Sequence, residues 1–281
     1  TPGIVHIGLG NFHRAHLAVY MDDLFALGLN HDWAIIGAGV RPTDARMRAA
    51  LQAQDYLSTV IELDPTGRSA RRIGSMIDFL PVETDNARLI AAMSRPACRI
   101  VSLTVTEGGY FVDSTGQFDA SAREIVADGA NPTRPATAFG AIVAALKARR
   151  LAGIMPFTVM SCDNLPGNGK VARDAVVGTA RLSDPDLAAW IGQIVAFPNA
   201  MVDRITPATG PRELSIAAEF GLGADPVPVT CEPFRQWVRE DHLGAGAPDL
   251  ASVGVTLTPD VAAWERPPCC KQKSPPTQCE Q

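Results

Sequence analysis

The sequence predicts an α/β fold built on a Rossmann-type, mainly parallel sheet with inserted β-hairpins. Three observations carry that expectation. The apolar run Ile4-Val5-His6-Ile7 breaks at once into a glycine turn, Gly8-Leu9-Gly10-Asn11, and a helical segment follows. Short apolar runs without alternation, suited to strands buried on both faces, recur at residues 33–38, 99–105 and 157–162. Segments with helical periodicity lie between them, the order expected of βαβ units.

Length and composition narrow the classes. A chain of 281 residues holds one large or two modest domains, and 46% hydrophobic with 20% charged residues suits a globular protein with a proper core. A formal charge of -5 argues against a nucleic-acid or anionic-membrane surface, since both call for a basic patch. No apolar run approaches the ~20 residues of a membrane span, and the first residues carry no basic, signal-like segment. Cys98, Cys162 and Cys231 stand isolated in apolar settings and read as buried thiols of a reducing cytoplasm. Neither these nor the five histidines have metal-ligand spacing, so no metal site is expected.

Each element has its own signal. Strand, glycine turn and helix together build a dinucleotide site: Gly8 permits the tight turn, Gly10 lets backbone approach a pyrophosphate, and the free N–H groups of the helix face that anion. A lone G-x-G is weak, and the usual third glycine is replaced by His13. Residues 15–27 place Leu17, Tyr20, Leu24 and Leu27 on one helical face, with Gly28 as a stop. The run at 33–38 predicts the second strand, and Pro42-Thr43-Asp44 opens a helix through Gln54. Asp44 has two readings: an acid for the adenosine ribose, or a helix N-terminal acid favoured by the dipole. Arg41 beside it leaves room for NADP.

Residues 56–63 and 71–80 alternate as strands around the turn Asp64-Pro65-Thr66-Gly67, and 84–93 predicts a helix capped by Thr84. The strand at 99–105 ends in Thr106-Glu107-Gly108-Gly109-Tyr110, where ligands bind in such sheets. The alternative for that segment is a glycine turn into a short strand at 110–112. Residues 137–150 form an amphipathic helix. The strand at 157–162 runs into Asp163-Asn164-Leu165-Pro166-Gly167-Asn168-Gly169, and a helix follows at 170–181. Asn164 reads either as a carboxamide donor to a developing alkoxide or as turn geometry. Further on, 213–220 predicts a helix and 253–257 a strand.

Four stretches together resemble the long-chain mannitol dehydrogenase family, which covers polyol dehydrogenases and hexuronate reductases. They are Gly8-Leu9-Gly10-Asn11-Phe12-His13-Arg14-Ala15-His16; the Ser161 to Gly169 segment, similar to S-x-D-N-x-x-x-N-G; Phe197-Pro198-Asn199-Ala200-Met201-Val202-Asp203-Arg204-Ile205-Thr206-Pro207; and Glu232-Pro233-Phe234 with Gln236-Trp237-Val238. The Val105 to Tyr110 segment is similar to the family's T-x-T-E-x-G-Y. The resemblance implies NAD as cofactor, with Gly8, Gly10, Asn11, Phe12, His13, Arg14, Asp44, Thr106, Glu107 and Asn164 around it. It implies a catalytic set including Asn164, Asp203 and Glu265; Asp203 with Arg204 otherwise reads as an ion pair on a domain face.

Beyond Asp260-Val261-Ala262-Ala263-Trp264-Glu265 the pattern stops. The family continues as E-x-x-K-x-x-x-x-N-x-x-H, which places its basic lysine at 268, its asparagine at 273 and its histidine at 276. This chain has Pro268, Lys273 and Pro276, and residues 266–281 hold four prolines and three cysteines. Lys271 and Lys273 stand in the wrong register. The sequence therefore predicts a cofactor-binding domain over 1–264 and a non-family tail over 265–281, disordered or translated out of frame. The family's helical C-terminal substrate domain, the expected intramolecular partner, is expected to be absent. The implied reaction is hydride transfer between nicotinamide and a secondary alcohol of a polyol. A hexuronate reductase, or an NAD(H)-binding fragment without turnover, are the alternatives.

Overall fold

A computed structural model describes residues 1–222 and 225–265. Residues 266–281, positions 268, 273 and 276 among them, lie outside the described residues. In chain order the elements are β1 (Pro2–Ile7), α1 (Asn11–Ala15), α2 (Leu17–Ala26), β2 (Ala34–Ala38), α3 (Asp44–Gln52), β3 (Ser58–Asp64), β4 (Gly67–Ile73), β5 (Met76–Leu80) and α4 (Ala87–Ser94). They continue with β6 (Ile100–Leu103), α5 (Arg123–Ala130), α6 (Ala138–Leu151), β7 (Thr158–Ser161), α7 (Asn168–Arg181), α8 (Pro185–Ile194), β8 (Ala200–Asp203), α9 (Pro211–Glu219), β9 (Val229–Cys231), β10 (Gln236–Glu240) and β11 (Thr256–Thr258).

The central sheet has the order β5-β2-β1-β6-β7, and every pairing in it is parallel. The Rossmann-type expectation holds. Val5 and Ile7 face one apolar layer, with Val101, Leu103, Phe139, Ile142 and Val176. Ile4 faces the other, with Ile35, Ile100, Leu17, Leu24 and Trp237. Helices cover both faces, so the strands carry no polar side and read as continuous apolar runs. Successive connections leave β1 toward β2 and then return to β6 on its other side. That reversal opens a crevice at the carboxyl ends of β1 and β6. Two smaller sheets, β4-β3-β9 and β11-β10-β8, flank the main one.

Several boundaries differ from the sequence reading. The expected strand over 71–80 is two strands. Its first part belongs to β4, which pairs antiparallel with β3 from Ser58↔Ile73 to Asp64↔Gly67. The chain then bends at Gly74 and Ser75, and β5 joins the parallel sheet beside β2. The helix expected over 15–27 is broken at His16, whose N–H bonds to the His13 carbonyl. Asn86 rather than Thr84 caps α4. Residues Glu107–Tyr110 form a 3-10 turn, not the approach to a strand, and Leu250–Val253 is another, so the last strand starts only at Thr256. The sequence reading missed α5 and α8, although Asp184-Pro185 is a clear start signal. Asp184 accepts from the Leu187 N–H, and Pro185 sits where its missing N–H costs nothing.

Three histidines lie between β1 and the first helices. His6 and His13 stack with ring centroids 3.5 Å apart, and His16 stacks on Phe12 at 4.8 Å. All three are buried. Burial pushes His6 and His16 down to about 3, and His13 well below the ordinary imidazole range. An unfolded histidine takes up a proton near pH ~6.5. Below that pH the unfolded chain binds more protons than the fold, so stability falls as pH falls. The urea midpoint is expected to hold above pH ~7 and to drop between about pH 7 and pH 5, where most carboxylates are still ionised. A midpoint unchanged over that window would show that these rings are not held neutral.

Candidate functional site

The crevice is built from the glycine turn upward. Gly8 has φ +94°, and a Cβ there would stand 2.1 Å from the Thr104 carbonyl oxygen, so only glycine fits. Its N–H donates to the Ala38 carbonyl at 2.9 Å, and its carbonyl accepts from the Thr104 hydroxyl at 2.8 Å. The turn is thereby pinned between the ends of β2 and β6. With its proton given to Gly8, the Thr104 hydroxyl accepts from His6 Nε2, 2.9 Å away. His6 Nδ1 then accepts from the Ser102 hydroxyl at 2.9 Å, which fixes the tautomer of this buried ring. Gly10 is extended, a conformation open to any residue, and a Cβ on it would meet only the Gly8 carbonyl at 3.9 Å. The space in front of it is open.

The residues after the turn divide by what their side chains do. Asn11 Nδ2 donates to the Pro207 carbonyl at 3.0 Å and to the Thr209 hydroxyl at 3.1 Å. Its Oδ1 accepts from Arg14 at 2.7 Å. Arg14 is fully buried and also donates to the Val227 carbonyl at 2.5 Å. Phe12 packs on His16, and His13 lies beneath the turn against His6. None of these four side chains points freely into the crevice.

On the β2 side, Asp44 Oδ2 accepts from the N–H groups of Val40 and Arg41 at 2.8 and 3.0 Å. It closes the loop after β2 and opens α3. Gly39 makes room for it, because a Cβ at 39 would lie 2.7 Å from the Asp44 Cβ. Next to this loop is a cavity of about 470 Å³, walled by Ile7, Gly39, Arg41, Asn86, Thr106 and Gly109 among others. It therefore joins the ends of β1, β2 and β6.

On the β6 side, Thr106 has φ +65° and ψ 164°, which is unusual for a β-branched residue. Thr106 and Glu107 are exposed. Asp163, just past β7, reaches across to this segment. Its Oδ2 accepts from the Val105 N–H at 3.0 Å and the Tyr110 hydroxyl at 2.6 Å, and its Oδ1 from the Thr106 N–H at 3.0 Å. Burial raises the Asp163 carboxyl above its ordinary value, against the pull of those donors. Asn164 is exposed and makes no hydrogen bond to the described residues. Glu265 returns to the same loop, where its Oε1 accepts from the Gly167 N–H at 2.9 Å at the start of α7. Asp203 is partly buried at the end of β8, in register with Gln236. Arg204 follows Asp203 and is buried. Its guanidinium bonds to Glu62 at 2.5 Å and to the Ala15 carbonyl at 2.6 Å.

The description of the mannitol dehydrogenase Rossmann domain matches residues 2–252. The chain belongs to the mannitol dehydrogenase family. The mannitol 2-dehydrogenase of Cereibacter sphaeroides is 73% identical over 265 residues, covering 94% of this chain and 55% of the relative. The polyol:NADP oxidoreductase of Gluconobacter oxydans is 45% identical, again over 94% of this chain and 55% of the relative. Among solved structures, Pseudomonas fluorescens mannitol 2-dehydrogenase in ternary complex with NAD and D-mannitol matches with a TM-score of 0.91 and 49% identity. That match covers 94% of this chain and 54% of the other. This member of the family thus spans about half the length of the curated relatives it matches.

Sequence reasoning missed several residues that shape the site. Asp163 lies within the Ser161 to Gly169 stretch, next to Asn164. Asn168 is fully buried and pairs with the Ala200 backbone in both directions, at 2.6 and 2.9 Å. Asn199 Oδ1 accepts from the Gly169 N–H at 2.9 Å, and Glu240 holds Asn199 in turn. The signal for such residues is a polar side chain at a strand end, but its partner is distant in sequence.

The Gly8 geometry makes a direct prediction. Gly8→Ala is expected to cost more than about 2 kcal/mol, or to abolish folding. Gly67→Ala, where no atom stands within 4 Å of the added Cβ, is the control and should stay within about 0.5 kcal/mol of the parent. Urea denaturation of both variants compares them, and equal midpoints would contradict the close approach.

Proposed function

We propose that this chain is the cofactor-binding part of an NAD-dependent oxidoreductase acting on a secondary alcohol of a polyol, of the mannitol and fructose type. The observation that carries the reading is the crevice itself. A cavity joins the carboxyl ends of β1, β2 and β6 beside a glycine turn that is tight at Gly8 and open at Gly10. The match to a structure holding NAD and D-mannitol supports it, as do the relatives named for mannitol and polyol oxidation. No observation favours the sugar-acid alternative over them.

When bound, NAD supplies the hydride acceptor. The chain's own residues are read as follows. Gly8 and Gly10 admit the pyrophosphate, while Asn11, Phe12, His13 and Arg14 contribute backbone and hold the turn in shape. Asp44 takes the adenosine ribose and repels a 2′-phosphate. Thr106 and Glu107 border the nicotinamide side. Asn164, with its carboxamide unspent, donates to the substrate oxygen as charge develops there. Asp203 and Glu265 line the route of the proton. We read residues 1–264 as one cofactor-binding unit of a cytoplasmic protein and 265–281 as a segment apart. The family's helical substrate domain is its proposed partner. With proline at 268 and 276, the sequence does not supply the family's lysine and histidine there, so turnover by this chain is not expected.

A fluorescence titration with NADH, followed by an assay with D-mannitol and NAD, decides the matter. Saturable binding without mannitol oxidation is expected. A folded chain that leaves NADH free would remove the cofactor reading, and measurable oxidation would show that a base is present after all. Asp44→Asn tests the ribose reading. An Asn oxygen can still accept from Val40 and Arg41, so the loop persists while the charge is lost. NADPH affinity should then rise roughly tenfold relative to NADH, and an unchanged preference would remove Asp44 from selection.

A further inference from the structure

We propose that Asp163 is a positioning residue, which sets the Val105–Thr106 backbone at the nicotinamide side of the crevice. The proposal rests on the cofactor reading above and adds to it a residue whose contact is with the loop, not the ligand.

Asp163 stands on the β7 side of the crevice, and the segment it holds follows β6. Its two oxygens divide the work, with Oδ1 taking the Thr106 N–H and Oδ2 the Val105 N–H and the Tyr110 hydroxyl. Val105 and Thr106 both wall the cavity. Between them and Tyr110 lies the 3-10 turn that carries Glu107 and Gly109. Asp163 therefore fixes both the start and the end of that turn. The Tyr110 ring is itself anchored, buried against Phe139 with centroids 5.5 Å apart, and its hydroxyl lies 2.6 Å from Ser161 Oγ.

Two features argue that the carboxylate is there for the loop. Among the described residues it has no cationic partner, so its charge is balanced by these donors alone. Burying a carboxylate without a cation is costly unless several donors converge on it. The conformation it holds is also one that a threonine does not adopt unaided, at φ +65°. Without the two N–H bonds, Thr106 would relax toward the extended region and swing the backbone at the cavity wall. Asn cannot substitute. Its amide nitrogen would face one of the two N–H groups, donor against donor.

The test compares the parent with Asp163→Asn in the full chain, using NADH and ADP-ribose as probes. ADP-ribose shares every part of NADH except the nicotinamide. Asp163→Asn should weaken NADH roughly tenfold or more, the worth of a lost charge-assisted hydrogen bond, and abolish the nicotinamide fluorescence change on binding. ADP-ribose affinity should stay within about threefold. A variant that is merely less stable would lose both probes together, which overturns the proposal, as does unchanged NADH binding. Amide hydrogen exchange over residues 104–110 provides a readout that needs no cofactor. It should speed up in Asp163→Asn while exchange in β1 and β6 is unchanged. If the parent itself fails to bind NADH, the cofactor reading falls, and exchange alone decides whether Asp163 holds the segment. Should Asp163→Asn fail to fold, Tyr110→Phe removes one of the three donors and keeps the ring. It should give a smaller loss of NADH affinity and faster exchange at 107–110, and parental behaviour in both would overturn the proposal.

Discussion

No side chain fits at position 8. The backbone of Gly8 passes so close to the Thr104 carbonyl that the ends of β1 and β6 can meet only if one is glycine. Much else follows from that approach. It lets the Thr104 hydroxyl reach the Gly8 carbonyl, which in turn orients His6 and sets the floor on which His13 stacks. The first helix leaves the turn over this floor, not over an apolar one. Burial favours the neutral form of both rings.

The motifs that identify the family are largely bonded to one another. Arg204 of the third stretch reaches Ala15 of the first, and Glu232 of the fourth accepts from Ile205 of the third. His16 bonds to the Gln236 carbonyl, and Asn168 pairs with Ala200 like an added strand residue. Gly169 allows the start of α7 to press on Phe197 and Pro198, since a Cβ there would lie 2.5 Å from the Phe197 carbonyl. Buried backbone groups away from regular structure need partners, and these polar side chains supply them. Their identity is set by hydrogen-bond geometry within the fold as much as by any ligand.

This explains what was legible in the sequence. Strands buried on both faces announce themselves as apolar runs, so β1, β2, β6 and β7 were readable, as was the glycine turn. The edge strand β5 was not separable from β4, because both are short and the bend between them at Gly74 and Ser75 resembles a continuing strand. The short α5 starts without a side-chain cap, so nothing local marked its start. At the site, the positions of Asn164 and Thr106 at strand ends were readable from strand order alone. The reach of Asp163 across 57 positions to Thr106 was not, since it depends on β7 lying beside β6. For the same reason the burial of Arg14 was not readable. An arginine in a helix gives no sign in sequence that its guanidinium turns inward to Val227.

A simple criterion then separates the residues of these motifs. Arg14, Asn11, Asn168, Arg204 and Asp163 spend their polar groups on named partners within the fold. Asn164, between Asp163 and the loop capped by Glu265, spends none on the described residues. Its carboxamide is exposed, while Asp163 before it and Gly167 after it are held by hydrogen bonds. A donor meant for a charge that develops only during reaction cannot be spent beforehand, because one already bonded would first have to break its contact. The bonded residues make the platform, and an unspent carboxamide beside them is what the role proposed for Asn164 requires.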